Sequence, residues 1–187
     1  KILARSLSEF GEEDWREIRF NQGFITKEPP FNFKSRKRSL LDIKEVLDDV
    51  GLKFWLTNGT ALAARRERDW IPWDDDVDLD VMMEDYAEVR AELKERFIGE
   101  GFIVRDKHPD SPTLAKMALY KDGEKFALRP LYLNSYHEDG ETHRFRRQYK
   151  FPRKFYETTG TIEFMGETFN VPTPVEEFLT YVYGDWE

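Results

Sequence analysis

The chain has 187 residues, no cysteine and a formal net charge of −8, with 40% hydrophobic and 15% aromatic residues. This length and composition are typical of one globular domain that buries a core without disulfide bonds. The acidic balance argues against a nonspecific nucleic-acid-binding protein, and the lack of thiols excludes Cys-ligated zinc and cysteine catalysis. No apolar run approaches the roughly 20 residues of a membrane helix, so no transmembrane segment is expected in this chain.

Residues 1–35 are predicted to form an N-terminal arm that is irregular or partly helical, because they lack a regular hydrophobic period and contain Pro29-Pro30. Residues 36–187 are predicted to form the folded domain. Because the chain begins at Lys1 rather than at Met, we expect it to be a trimmed or excised part of a larger protein.

The domain is predicted to be an α+β fold in which helices pack on a mixed β-sheet. Hydrophobic periodicity, turn residues and helix-ending glycines give the elements. Helices are predicted over 39–50, 61–66 with Thr60 as the cap, 84 to 99 or 101, and 175–183. Strands are predicted over 53–57, 76–80, 102–105, 114–120, 125–133, 162–164 and 168–171. Asp122-Gly123 is a strong hairpin signal, and a turn at 138–140 is expected to close a further strand pair.

The most informative segment is the acidic run at residues 70–80, WIPWDDDVDLD. From Asp76 onward, acidic and apolar residues alternate, which is the period of a strand with one acidic face. On such a strand Asp76, Asp78 and Asp80 point the same way, with roughly 6.5–7 Å between alternate Cα atoms. Crowded carboxylates repel one another, so the run predicts a hard divalent cation with oxygen ligands, Mg²⁺ or Mn²⁺. A solvated acidic edge or turn is the alternative.

A second motif lies upstream of the acidic run. Gly59-Thr60, at a predicted helix start, allows a phosphate to approach free backbone amides. About fifteen residues later, Asp76 and Asp78 can hold Mg²⁺ on one strand face. A metal there neutralises the charge that develops on a transferring phosphoryl group. This order and spacing favour a nucleotidyltransferase-like site.

The stretch 58–66, NGTALAARR, followed by WIPWDDDVDL at 70–79, resembles the LicD family, whose relatives include fukutin and fukutin-related protein. The segments at 84–86, 164–172 and 183–186 also resemble that family, so the resemblance covers roughly 38–187 and leaves 1–35 uncovered. It implies a nucleotidyltransferase-like fold. It also implies transfer of a substituted phosphate, such as phosphocholine, ribitol phosphate or mannosyl phosphate, from a CDP-linked donor to a glycan or glycolipid hydroxyl. A bacterial-type member is expected in the cytoplasm, and a fukutin-like or fungal-type member in the lumen of the secretory pathway.

The resemblance assigns roles to the carboxylates of the acidic run. Asp76 and Asp78 match the metal-binding Asp-x-Asp and are the candidate catalytic residues. Asp74 and Asp75 match the acidic lead-in, where orientation and hydrogen bonding are expected rather than ligation.

Other residues are candidates for contact with the donor. Gly59 and Thr60 match the glycine motif that faces the donor phosphates, and Arg65 matches the basic residue that follows this motif. Arg129 either binds a donor phosphate or forms a structural ion pair, since a guanidinium suits both. Lys116, on a predicted central strand, either faces the site or is an ordinary edge lysine.

One departure from the family concerns the third acidic residue that its members commonly carry on a later strand. The comparable stretch here, FALRPLY at 126–132, contains no carboxylate. Asp80 is the expected substitute as a third metal ligand, and Glu124 or His137 are further candidates. Without a substitute, we expect this copy to be slow or inactive.

Two alternative functions stay open at this point. A metal-dependent glycosyltransferase also uses Asp-x-Asp, with a nucleotide sugar as donor. A catalytically impaired domain that binds a glycan or nucleotide would keep the fold without the chemistry. The basic cluster of Arg144, Arg146 and Arg147 is expected to be surface charge, with a platform for an anionic donor or acceptor as the alternative.

Overall fold

The structure is a computed structural model that describes residues 33–72, 74–111, 113–134, 143–146 and 149–187. The predicted N-terminal arm lies outside the described residues except for 33–35, which form the start of the first helix. The predicted turn at 138–140 also lies outside them.

The elements are numbered here in chain order. The helices are α1 (Phe33–Asp49), α2 (Asn58–Leu62), which continues into a π-helical turn (Ala63–Glu67), α3 (Met83–Gly99), α4 (Lys154–Glu157) and α5 (Val175–Tyr183). The strands are β1 (Phe54–Leu56), β2 (Val77–Met82), β3 (Ile103–Lys107), β4 (Lys116–Lys121), β5 (Glu124–Asn134), β6 (His143–Arg146), β7 (Tyr149–Pro152), β8 (Gly160–Phe164) and β9 (Glu167–Val171). Among the described residues, no helix combines the length and the apolar character needed to cross a bilayer.

A seven-stranded sheet organises the domain. Its main order is β1-β2-β5-β4-β3, and β6 pairs with β5 and with β7. The β2–β5 pair is parallel, whereas the other pairs of this sheet are antiparallel. β8 and β9 form a separate two-stranded hairpin. The predicted mixed β-sheet is therefore confirmed, and β2, which carries the acidic run, lies between β1 and β5.

Most of the predicted elements are present, with shifted ends. The Asp122-Gly123 hairpin is confirmed, because both residues have positive φ and Lys121 pairs with Glu124 across the turn. The strands on either side of 138–140 pair with each other, as expected. The prediction that Thr60 caps the second helix is wrong, because this helix begins at Asn58 and its N-cap is Thr57.

The two faces of β2 have different chemistry. Val77, Leu79 and Val81 are fully buried on one face and belong to the hydrophobic core. The helix α1 contacts β5, and α3 contacts both β2 and β5, so these helices cover the core. The polar residues of β2 alternate with the apolar ones and must point to the opposite face. The fold thus gives β2 one acidic face, opposite the face that anchors the core.

Candidate active site

The neighbours of the acidic face are set by the register of β2 and β5. Asp78 is paired with Ala127, and Asp80 is paired with Arg129. Paired residues of neighbouring strands point to the same face of a sheet. The acidic face therefore lies beside a small residue and an arginine of β5, and this parallel strand supplies no carboxylate at these two positions.

The two predicted metal ligands each contact a cation. Lys125 Nζ donates to Asp76 Oδ2 at 2.6 Å, and the Arg129 guanidinium pairs with Asp78 Oδ2. The Asp78 backbone N–H donates to Thr60 Oγ1 at 2.9 Å. Burial raises the pKa of the Asp78 carboxyl above its ordinary value, and the Arg129 guanidinium opposes that rise. Both carboxylates are half-buried, and their charge is balanced from β5.

Asp80 has a different environment. Its side chain is fully buried, and its Oδ1 accepts hydrogen bonds from Arg129 Nε at 3.0 Å and Arg146 Nη1 at 3.1 Å. Its Oδ2 accepts a hydrogen bond from the Tyr156 hydroxyl at 3.2 Å. Burial next to Asp80 raises the pKa of Tyr156 well above its ordinary value, so this hydroxyl stays a donor. Both oxygens of the predicted third metal ligand are therefore engaged by protein donors.

The acidic lead-in is brought close to Asp76, one of the two predicted metal ligands. Carboxylate oxygens of Asp74, Asp75 and Asp76 all lie within 4.8 Å of one another. The Asp74 backbone carbonyl accepts a hydrogen bond from Arg36 Nη1 at 2.8 Å, which fixes this segment to α1. Burial, followed by the nearby charge of Asp76, raises the pKa of Asp74 to about 6. Asp74 is thus a further oxygen donor on this side of the site.

Gly59 and Thr60 lie within the first turn of α2 rather than before it. The Thr60 N–H donates to the Thr57 carbonyl at 3.1 Å, so this amide is engaged within the helix. The Thr60 hydroxyl is the group that accepts from the Asp78 backbone and so fixes the acidic strand to α2. A Cβ atom added at Gly59 would collide with the Asp74 carboxylate. Glycine here allows Asp74 to stay beside the acidic strand.

Gly59→Ala is expected to displace the Asp74 carboxylate and to weaken Mn²⁺ binding about tenfold, an effect typical of residues that support metal ligands. The free energy of unfolding should change little, because the colliding atoms are the end of a side chain that can rotate away. Titration with Mn²⁺ followed by electron paramagnetic resonance measures this change. Gly99→Ala is the matched control, since a Cβ atom there meets open space. Equal Mn²⁺ affinity in both variants would contradict this role of Gly59.

Two cavities meet at the acidic face. The smaller, of about 340 Å³, is lined by Asn58, Gly59, Leu62, Ile71, Asp74, Asp78 and Tyr183. The larger, of about 610 Å³, is lined by Asn58, Thr113, Ala115, Lys116, Arg129, Arg146, Lys150, Phe151, Tyr181, Val182 and Tyr183. We call them the acidic pocket and the basic chamber. They share Asn58 and Tyr183, so the two cavities lie next to each other.

The lining of the basic chamber is rich in cations, two of which, Arg129 and Arg146, are paired with the buried Asp80. Four cationic residues line it, Lys116, Arg129, Arg146 and Lys150, and no carboxylate is among its described lining residues. Burial, followed by repulsion from Lys125, lowers the pKa of Lys116 to about 8. The chamber therefore attracts an anion.

Lys116→Met is expected to stabilise the ligand-free protein at pH 7 by on the order of 1 kcal/mol, after allowance for solvent screening. Lys116 has a folded pKa of about 8 against an ordinary 10.5, so its charge costs stability below pH 8. Between these two values the unfolded chain binds more protons, and stability rises with pH. Melting temperatures of both proteins at pH 7 and pH 10 test this, with a clearly larger gain expected at pH 7, because pH 10 lies close to the unfolded pKa of 10.5.

Lys34→Met, at an exposed position of α1, serves as the control for this effect. A gain that is the same at both pH values, or that Lys34→Met reproduces, would contradict the account of Lys116.

Some predicted residues lie away from the two cavities. Arg65 Nε donates to Glu176 Oε1 of α5 at 2.7 Å, and Arg65 is not among the described lining residues of either cavity. Glu124 is buried in an ion pair with Arg36, at 2.8 Å, and belongs to the face of β5 that packs on α1. His137, the other candidate for the missing acid, lies outside the described residues.

The structure also brings to the site residues that the sequence did not predict as site residues. Lys125 pairs with Asp76, and Lys150, Phe151 and Tyr183 line the cavities. Lys125 could have been identified from the alternation of β5, had the β2–β5 register been known. Arg146 was considered as part of a basic cluster, with surface charge expected and a platform for an anion as the alternative, and it is a lining residue of the basic chamber.

Comparison with known proteins connects this geometry to a family. The model of the LicD/FKTN/FKRP nucleotidyltransferase domain matches residues 51–174. Human ribitol 5-phosphate transferase FKRP is 26% identical over 160 residues, which cover 83% of this chain and 32% of FKRP. Mouse ribitol-5-phosphate transferase FKTN is 40% identical over 55 residues, which cover 29% of this chain and 12% of FKTN. The chain thus spans about a third of the length of human FKRP.

Solved structures agree on the fold. The lincosamide adenylyltransferase LnuA, bound to lincomycin, aligns with a TM-score of 0.52 at 14% identity. The alignment covers 80% of this chain and 87% of LnuA. ANT(2")-Ia, in complex with adenylyl-2"-tobramycin, aligns with a TM-score of 0.53 at 16% identity. The alignment covers 80% of this chain and 74% of that protein. These matches support the nucleotidyltransferase-like α+β fold.

Proposed function

Because the chain belongs to the LicD family of nucleotidyltransferase-domain proteins, we propose that it is a phosphotransferase. It moves a substituted phosphate from a CDP-linked donor to a hydroxyl of a glycan or glycolipid. The observation that carries this proposal is the junction of the acidic pocket with the basic chamber at Asn58 and Tyr183. Carboxylates that can hold a cation thus adjoin a space that attracts phosphate.

The proposed reaction conserves atoms and charge in a simple way. The acceptor oxygen forms a bond to the phosphorus that carries the substituent, and the bond from this phosphorus to the CMP oxygen breaks. The acceptor hydroxyl proton leaves to water or to a nearby base. The products are a phosphodiester on the glycan and CMP.

The donor set at the acidic pocket fits Mg²⁺ or Mn²⁺, because it consists of carboxylate oxygens, which these hard cations prefer. Asp76 and Asp78 would hold the ion, with Asp74 as a third oxygen donor, because its carboxylate lies beside that of Asp76 and lines the acidic pocket together with Asp78. When bound, the ion supplies charge neutralisation for the phosphoryl group that is transferred. Lys125 and Arg129 balance the same carboxylates in its absence.

The chain's own cations bind and orient the donor. Arg129 is held by Asp80 and by the Thr57 hydroxyl, which accepts from Arg129 Nη2 at 2.5 Å. This fixed guanidinium lines the basic chamber together with Lys116. Charge-assisted hydrogen bonds from such groups hold phosphate oxygens in a defined orientation. The Thr60 hydroxyl keeps Asp78 in register with this cationic side.

The residues that line the basic chamber help to distinguish between the possible transferred groups, phosphocholine and a polyol or sugar phosphate. A phosphocholine donor would bring a trimethylammonium group, which the cations of the lining repel and its aromatic residues Phe151, Tyr181 and Tyr183 attract. A polyol or sugar phosphate carries no such charge, and hydroxyl groups can hydrogen-bond to the same lining. FKRP and FKTN are named ribitol phosphate transferases. We infer that the donor is a CDP-alditol or a CDP-linked sugar rather than CDP-choline.

A nucleotide panel tests this proposal. With Mg²⁺ present, CDP-ribitol should raise the melting temperature by several degrees at about one hundred times its Kd. CDP-choline should give a smaller shift at the same concentration. Shifts confined to UDP- or GDP-sugars would instead support a metal-dependent glycosyltransferase. A protein that no nucleotide stabilises would support a domain that has lost the chemistry.

A further inference from the structure

Asp80 connects the acidic strand to the wall of the basic chamber. Its three hydrogen-bond donors come from three separate elements, Arg129 on β5, Arg146 on β6 and Tyr156 on α4. The β6–β7 hairpin also contributes Lys150 and Phe151 to the chamber lining. A single buried carboxylate therefore fixes this wall to β2.

Several neighbouring residues hold the Arg146 side chain in one orientation. Its guanidinium carbon lies 5.4 Å from the centroid of the Phe151 ring, and Nη1 donates to Asp80. With the Asn58 amide oriented to satisfy its neighbours, the Asn58 oxygen accepts from Arg146 Nη2 at 3.2 Å and from Arg129 Nη1 at 3.1 Å. The Arg146 side chain keeps 15% of its surface exposed and lines the chamber. A ligand in the chamber can therefore reach this guanidinium.

Two guanidinium groups so close together repel each other unless a negative charge lies between them. Asp80 supplies that charge, because its Oδ1 accepts from both Arg129 and Arg146. The arginines in turn compensate the cost of burying an ionised carboxylate with 0% exposure. A cation at Asp80 would have to replace both guanidiniums at Oδ1 or the Tyr156 hydroxyl at Oδ2. The arrangement is that of a counter-ion for arginines rather than of a metal ligand.

We propose that Asp80 is a positioning residue that takes no part in metal ligation, and that Arg146, which it holds at the chamber wall, binds an oxyanion of the substrate. This inference rests on the proposed function, because it assigns the substrate phosphate to the chamber. It divides the acidic strand into two parts. Asp76 and Asp78 face the cation, and Asp80 organises the anion site.

The first test concerns the metal. Mn²⁺ titrations followed by electron paramagnetic resonance compare Asp80→Asn with Asp78→Asn. Asp80→Asn should keep the Mn²⁺ affinity within about twofold of wild type, whereas Asp78→Asn should weaken it about tenfold or more. Equal losses in the two variants would make Asp80 a metal ligand and overturn the proposal.

The second test concerns the anion. Inorganic pyrophosphate is the probe, and its Kd is measured by calorimetry without metal. Arg146→Gln should weaken pyrophosphate binding about 10- to 100-fold, as expected for loss of a charge-assisted contact. Arg153→Gln, an exposed arginine that pairs with Glu157, should leave it unchanged. Pyrophosphate binding that survives Arg146→Gln would refute the assignment of Arg146 to the anion site. This test does not depend on whether Asp80→Asn folds.

A double-mutant cycle tests the link between the two residues. If Asp80 acts through Arg146, the effect of Asp80→Asn on pyrophosphate affinity should differ about fivefold or more between the wild-type and Arg146→Gln backgrounds. Additive effects would contradict the positioning role. Competition with CDP then identifies the source of the oxyanion. Displacement of pyrophosphate by CDP assigns the site to the donor, and simultaneous binding assigns it to the acceptor.

These measurements need no turnover. A protein that binds Mn²⁺ and pyrophosphate as described but transfers no phosphate from any CDP donor would refute the proposed function and uphold the inference. An active transferase whose Asp80→Asn variant loses Mn²⁺ binding would uphold the proposed function and refute the inference about Asp80.

Discussion

Asp78→Asn is expected to reduce turnover about 1,000-fold, because loss of a metal ligand removes several kcal/mol of charge stabilisation from phosphoryl transfer. The fold should persist. The carboxylate is half-buried near Asp76 and Asp80, and removal of its charge relieves repulsion while it costs the ion pair with Arg129. These two effects oppose each other, so the melting temperature should change by only a few degrees. Steady-state release of CMP and thermal unfolding measure the two quantities.

Asp49→Asn is the matched control for that variant, since it makes the same chemical change at an exposed position near the end of α1. Wild-type turnover in Asp78→Asn would show that this carboxylate does not hold the metal. A variant that fails to fold would show that the Arg129 pair outweighs the relief of repulsion.

Glu124→Leu is expected to destabilise the protein by about 3–5 kcal/mol, the range for breaking a buried ion pair. Both side chains of the Arg36–Glu124 pair are only 1% exposed, and the variant leaves the guanidinium buried without this counter-ion. For a chain of this size the melting temperature should fall by about 10 °C. Chemical denaturation of both proteins measures the difference.

The double variant Arg36→Met/Glu124→Leu should recover much of the lost stability, because apolar pairs often replace buried ion pairs at little cost. Its activity should stay low, since Arg36 also holds the Asp74 carbonyl at the site. A Glu124→Leu variant that is as stable as wild type would contradict the structural role of this pair.

Local sequence patterns predicted the parts of the fold that depend on neighbouring residues. The alternation after Asp76 gives a strand with one acidic face, and Asp122-Gly123 gives the hairpin. The β2–β5 register, in contrast, joins residues about fifty positions apart. No local pattern encodes this pairing, so the contact of Asp80 with Arg129 could not be predicted from the strand alone.

Contacts between residues distant in the sequence also explain why some candidate residues have other roles in the structure than the sequence predicted. Glu124 was considered as a substitute acid, yet it pairs with Arg36, 88 residues away, on the core side of β5. Thr60 was expected to cap a helix, whereas its hydroxyl accepts from the Asp78 backbone across 18 residues. Polar side chains have several partners available, and only the folded chain selects one.

The most direct measurement is CMP release from CDP-ribitol by the purified protein, with and without Mg²⁺. The acidic pocket and the basic chamber together predict release that requires the metal, stops on chelation and is lost in Asp78→Asn. Release that is equally fast after chelation, or that survives Asp78→Asn, would contradict this account. So would a protein that binds Mn²⁺ through Asp76 and Asp78 but releases CMP from no CDP-linked donor.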